Sequence, residues 1–215
     1  MRSDRRTEAS WSRLLKQGFQ RRSEGGGNVV DTKIETSRLI LRAWGEEDVE
    51  QLTLGLNDLG IAKWLAFVPH PYSTSHAQDW VRRCQAISTA GSRPTAYEFA
   101  VELRSERRVI GGISLNKIDW KAGTGGGGIW IANGYQARGY GREAFEAKIR
   151  LAFCDLGLTK LVNGYFDGNE NSWAMQRKLG YRRVAEVPSR CMADGRQTIE
   201  HVTTLLRSDW NDREG

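Results

Sequence analysis

Two glycines between an apolar run and a helical pattern constrain this chain more than any other feature. Ile129-Trp130-Ile131-Ala132 reads as a strand, Gln136-Ala137-Arg138-Gly139-Tyr140-Gly141-Arg142 as a turning loop, and the residues from Glu143 as a helix. Gly139 and Gly141 let backbone turn sharply and approach a ligand, and the first N–H groups of the following helix point outward as anion donors. Arg138 and Arg142 add charge where the helix dipole already favours an anion. The loop is suited to a diphosphate, although glycine geometry alone also makes an ordinary strand-to-helix turn.

A chain of 215 residues can form one domain with a full core plus an appendage, and its charge is distributed that way. Residues 1–24 carry seven basic and three acidic side chains, hence +4 of the net +6. Trp11, Leu14, Leu15 and Phe19 fall at helical spacing behind Ser10, and Gly25-Gly26-Gly27-Asn28 reads as a joint. The expected division is a basic extension over 1–28 and a single domain over 29–215. The extension is either a solvated tail or an electrostatic contact for RNA, ribosome or an acidic partner.

A mean hydropathy of −0.56, no membrane-length apolar run and no signal-peptide core point to a globular protein with no membrane association; the odd, widely spaced cysteines fit a reducing cytoplasm, and a monomer or homodimer is expected. Cys84, Cys154 and Cys191, like His70, His76 and His201, are scattered without ligand spacing, so no metal is expected.

Leu39, Leu41 and Ala43 alternate as in a strand, and Gly45-Glu46-Glu47-Asp48 starts a helix with acid in its first turn. After Pro69-His70-Pro71-Tyr72, Ser75 and Gln78 are spaced as a capping box for a helix with Ala77, Trp80, Val81, Cys84 and Ile87 on one face. Tyr97 to Leu103 and Val109 to Ile118 read as a long hairpin, with a glycine turn over 123–128. A helix with Phe145, Ile149 and Ala152 on one face follows the loop. Then come a strand at Leu161–Phe166, a helix at Asn171–Leu179, and strands near Tyr181–Val187 and Ile199–Leu206. The order is mixed α/β around a largely antiparallel sheet. A nucleotide-phosphate enzyme is disfavoured, because Arg142-Glu143 replaces the Lys-Ser/Thr of a P-loop and the upstream hairpin does not fit a βαβ unit.

Four stretches together resemble the GNAT superfamily of N-acetyltransferases, in particular its ribosomal-protein acetyltransferase branch. They are Glu35 to Arg42, Pro69-His70-Pro71-Tyr72, Gln136 to Gly141 as the acetyl-CoA loop, and Asn169-Glu170-Asn171-Ser172 followed by Lys178-Leu179-Gly180-Tyr181. The resemblance spans roughly residues 35–210. It implies the GNAT fold: a mostly antiparallel mixed sheet of about six or seven strands, helices on both faces, and a splayed strand pair holding acetyl-CoA. It further implies that backbone at Ile129, Trp130 and Ile131 pairs with the pantetheine arm and offers an amide to the thioester carbonyl. Amides of Arg138, Gly139, Tyr140, Gly141 and Arg142, with Gln136 and Ala137 shaping the loop, would hold the diphosphate. Asn169 would meet the pantetheine, and Ser172 would lie near the sulfur.

Acetyl transfer to an amine needs a neutral nucleophile, oxyanion stabilisation and a proton for the leaving thiolate. Relatives place a tyrosine acid where this chain has Gln176, and a glutamate base where it has Gly126. The resemblance to the ribosomal-protein branch, which is thought to use the serine of Asn-x-x-Ser, makes Ser172 the candidate acid, its alternative role being a helix-start hydroxyl. Glu98, Asp119 and Glu200 are the candidate bases, working through water, each with an alternative as a surface or hairpin carboxylate. Without a strong base, an α-amine with a pKa near 8 is easier to present neutral than lysine, by about 3 kcal/mol. Trp64 and Trp120 are candidates to line an amine pocket. The expected activity is acetyl-CoA-dependent N-acetylation of a protein N-terminus or a small amine in a ternary complex. The competing expectation is an acyl-CoA-binding module whose basic head docks on RNA, ribosome or a protein.

Overall fold

A computed structural model describes residues 33–89 and 93–214, so the basic segment, its expected helix and the Gly25–Asn28 joint lie outside the described residues. The long hairpin organises the rest. β3 (Tyr97–Leu103) and β4 (Arg108–Asp119) pair antiparallel, with Glu98 opposite Ser114 and Phe99 opposite Ile113. β2 (Leu39–Ala43) joins the far edge of β3, and β1 (Ile34–Glu35) joins β2.

Strand alternation assigns the two faces. Phe99, Val101, Ile113 and Leu115 enter one core cluster with Phe145, Ile149 and Ala152 of α4 (Tyr140–Arg150) and the turn after it. Ala100 enters the other, with Leu52 of α1 (Val49–Leu56), Ile61 of α2 (Leu59–Ala62), and Ala77, Val81 and Cys84 of α3 (Thr74–Thr89). The helical stripes expected for α3 and α4 are thus the faces that bury. The start of α3 differs from the expected capping box: Ser73, not Ser75, receives the His76 N–H at its hydroxyl, and the Ser73 N–H donates back to His76 Nδ1.

The expected glycine turn over 123–128 is corrected. Thr124–Gly126 form β5, antiparallel to β4 and parallel to β7 (Lys160–Phe166), with Gly126 opposite Val162. Glycines carry no side-chain pattern, so this strand is specified by its neighbours rather than by its own residues. At Gly127 φ is +120°, and a Cβ there would strike the Ser114 carbonyl. The chain bulges and continues as β6 (Ile129–Ile131) on β4 alone, while β7 runs on against β9 (Gln197–Leu206). The result is a fork, with β6 on one arm and residues 163–166 on the other.

α5 (Glu170–Lys178) follows β7, and β8 (Arg182–Arg190) pairs with β9 before α6 (Arg207–Glu214). Among the described residues the sheet has nine strands, above the six or seven expected because β1, β5 and β6 are short separate pieces. Its character is as expected: antiparallel except at β5 and β7, with helices on both faces.

Candidate active site

The loop over 136–142 is held by its own side chains and by the start of the domain. Gln136 Nε2 donates to the Ile131 carbonyl at 2.7 Å, folding the loop back on the strand it leaves. Ala137 and Gly139 take positive φ, 58° and 83°, and Gly139 is the left-handed N-cap of α4. The helix's first bond runs from Glu143 N–H to Gly139 O, so the N–H groups of Tyr140, Gly141 and Arg142 precede the hydrogen-bonded ladder. That end fits an anion.

The flanking arginines are only partly committed to it: Arg142 pairs with Glu146 at 2.9 Å, and the Arg138 guanidinium lies over the Tyr135 ring. The tighter clamp is one that separation in sequence conceals. Glu143 accepts from Thr36 Oγ1, Ser37 Oγ and the Arg38 backbone through one oxygen and from Arg38 Nε through the other. Burial pushes this carboxyl up, but those hydrogen bonds outweigh it and leave its pKa below the ordinary value. Arg38 also donates to the Arg138 carbonyl at 3.0 Å and covers the Tyr140 ring.

At the fork, Ala132 N–H bonds Ile110 O and Gly128 O accepts from Ser114 N–H. The inward bonds therefore belong to even-numbered residues, Gly128 taking part through its carbonyl alone because of the bulge at Gly127, and alternation turns the backbone of Ile129 and Ile131 to the open arm. Trp130, opposite Gly112, spends its backbone on β4 instead, and its indole packs against Gly55 and Gly112 on the side of α1.

The register also fixes what stands on the α1/α3 face: Glu98, Ser114, Asn116, Gly126, Val162, Gly164 and Glu200 follow one another across the strands. Glu98 is half-buried and accepts from Ser114 Oγ and, at 3.2 Å, from Asn116 Nδ2. Burial raises its pKa, opposed by these two hydrogen bonds and by the field of Lys148. Glu200 lies over Gly164 on the diverging arm, where a Cβ would run into its carboxylate. Asp119 is exposed at the hairpin end, accepting from Lys121 N–H and Ala122 N–H as a turn former. Trp120 is nearby, with its indole N–H on Pro94 O. Trp64 lies between Lys63 and Arg196, close to Gly168.

On the opposite face Asn169 caps α5 by accepting the Ser172 N–H, so Ser172 sits inside the first turn and the capping is done by another residue. Its hydroxyl oxygen receives Gln176 Nε2 at 3.1 Å, and Gln176 Oε1 receives the buried Thr203 hydroxyl at 2.6 Å. Fixed in this way, the glutamine leaves the Ser172 proton for a third group. Met175, one turn along, approaches Gly141, bringing α5 beside the donor loop.

Lys148 was not anticipated as a site residue, although its place between Phe145 and Ile149 in the buried stripe of α4 puts a cation where an aliphatic side chain is usual.

The sequence profile of the acetyltransferase (GNAT) domain matches residues 38–182. An uncharacterized N-acetyltransferase of Bacillus subtilis, YnaD, is 25% identical over 184 residues, 83% of this chain and 99% of its own. A candidate ribosomal-protein-serine acetyltransferase from Vibrio cholerae superposes with a TM-score of 0.67 at 25% identity, covering 83% of this chain and 99% of that one. Spermidine N-acetyltransferase from Vibrio cholerae, solved with CoA and spermine, gives 0.69 at 19% identity, covering 82% and 99%. With a loop shaped for a diphosphate, an unzipped strand pair beside it and a family profile over most of its length, the chain belongs to the GNAT acetyltransferases and is an N-acetyltransferase that uses acetyl-CoA.

Proposed function

We propose that the protein acetylates a primary amine, most directly a protein N-terminal α-amine and otherwise a small amine, by direct transfer in a ternary complex. Glu98 takes the amine proton through water and Ser172 returns one to the thiolate. The observation that carries this is their placement on either side of the fork. Glu98 stands on the α1/α3 face, while Ser172 stands on the opposite face with its oxygen already accepting from Gln176. Base and acid need not compete for one proton.

Glu200 is the second carboxylate on the Glu98 face and helps attract a cationic amine. With Gly126 in place of a glutamate, Glu98 must act from β3, which favours an amine of low pKa. The ribosomal-protein and spermidine enzymes among the similar structures make peptide N-termini and polyamines the acceptors to compare. The basic segment 1–24, appended to a domain over 29–215, suits an acceptor carried on RNA or ribosome.

Thiol release from acetyl-CoA, measured with peptides of free N-terminus, polyamines and lysine, is the test. Turnover is expected to be highest with α-amines; preference for polyamines would move the assignment to small amines, and no turnover with any acceptor would overturn transfer. Ser172→Ala is expected to lower kcat about tenfold or more with KM for acetyl-CoA little changed. An unchanged kcat would leave the hydroxyl as a packing partner of Gln176.

A further inference from the structure

We infer that Lys148 is a positioning residue for the transfer step: from beneath the fork its ammonium, together with Asn163, draws on the Gly127 carbonyl and turns the other end of that peptide, the Gly128 N–H, into a donor for the acetyl oxygen. The inference rests on the transfer reading above and assigns a role to a group that reading leaves unused.

Lys148 is wholly buried, and among the described residues no carboxylate forms an ion pair with it. Its Nζ lies 3.1 Å from Gly127 O and 3.6 Å from the centre of the Phe145 ring. Asn163 Nδ2 donates to the same oxygen. A leucine would fill this stripe without the cost of dehydrating a charge, so retaining an ammonium calls for a return elsewhere. The carbonyl it reaches marks where β5 ceases to pair with β7, the point at which the cleft opens.

A trans peptide directs its C=O and N–H in opposite directions. With Gly127 O drawn toward Lys148 and Asn163, the Gly128 N–H points away from α4. It makes no hydrogen bond among the described residues, and a Cβ on Gly128 would meet nothing within 4 Å. Two donors on a carbonyl polarise the whole peptide unit and strengthen its N–H as a donor, most of all where water is excluded. The site therefore supplies an oxyanion donor whose strength is set from behind.

Charge on Lys148 is poised. Burial lowers its pKa to about 7, against the field of Glu98 on β3, the charged group facing it; Asn163 from β7 and Phe145 from its own helix are uncharged. Raising pH through neutrality thus removes the charge and weakens the donor.

Two measurements test this. In the wild-type protein, the amide nitrogen shift of Gly128 and the Cε shift of Lys148, followed by NMR against pH, are expected to titrate with one midpoint near neutrality. A Gly128 shift that stays flat while Lys148 titrates overturns the inference, whatever any variant does and even if no amine is ever acetylated. In steady-state kinetics, Lys148→Met is expected to lower kcat by about 10- to 100-fold, to leave KM for acetyl-CoA within about threefold, and to abolish the alkaline decline of kcat. Lys148→Gln, which keeps a donor without the charge, should recover part of kcat and none of the pH dependence. A Met variant with wild-type kcat, or one whose loss of kcat is matched by an equal loss of CoA affinity, overturns it. An inert wild type would instead refute the transfer reading while the coupled titration stood.

Discussion

Gly139→Glu should abolish acetyl-CoA binding, a loss of at least about a thousandfold in affinity, while the protein still folds. Three effects act together. At φ of +83° any side chain is strained, by about 1 kcal/mol or more. A Cβ would stand 3.2 Å from the Arg38 guanidinium, which anchors the Arg138 carbonyl and Glu143, so the new side chain disturbs the clamp as well as the loop. The carboxylate would also enter the end of α4 whose free N–H groups suit phosphate charge. Isothermal titration with CoA, beside a thermal melt, separates binding from folding. Gly139→Asn, which tolerates left-handed backbone and adds no charge, should bind far better. Equal affinity of Gly139→Glu and wild type would remove this loop from the donor site.

Glu98→Gln is expected to reduce kcat/KM by about a hundredfold or more and to remove the acid limb of its pH profile. The limb arises because the base works ionised, so wild-type activity falls as pH drops through a pKa that burial has raised. Folding should move the other way. A carboxyl with a higher pKa folded than unfolded favours the native state fully only below its unfolded pKa, and that contribution is lost as pH rises through the folded value. Relative to wild type, the glutamine variant should therefore gain melting temperature at pH 7 and lose that advantage near pH 4, while its amide oxygen can still accept from Asn116 and its amide NH2 can donate to the Ser114 hydroxyl oxygen. Retention of both activity and its acid limb would shift the base to Glu200; a variant less stable at neutral pH would show that the ionised carboxylate is structurally required.

What the sequence disclosed and what it withheld divide along chain separation. The loop at Gln136–Arg142 and the turn at Asn169–Ser172 were legible because their bonds are local: Gln136 returns to Ile131, and Asn169 caps three residues ahead. Gln176 could be seen to lack acid chemistry, yet its grip on Ser172 depends on Thr203, which only the pairing of β7 with β9 brings near. The Glu143 clamp joins residues more than a hundred positions apart, with nothing near either end to announce it. Gly123–Gly128 failed for a different reason, since a strand without side chains has no periodicity to read. Glu98, Glu200 and Asp119 were equivalent as letters. Their separation into a hydrogen-bonded interior carboxylate, a carboxylate over the diverging arm and a turn former is a product of register.

The clamp on Glu143 also affects where this protein can be cut. The family profile begins at Arg38, but two of the groups that hold Glu143, the hydroxyls of Thr36 and Ser37, lie before it. An expression fragment begun at Arg38, where the profile begins, would lose only the two-residue β1 from the described sheet and none of the described helices, and would still hold the 136–142 loop loosely. For handling this enzyme, the useful boundary is upstream of residue 36, because the first few residues of the domain serve as the hinge pin of a loop a hundred residues away.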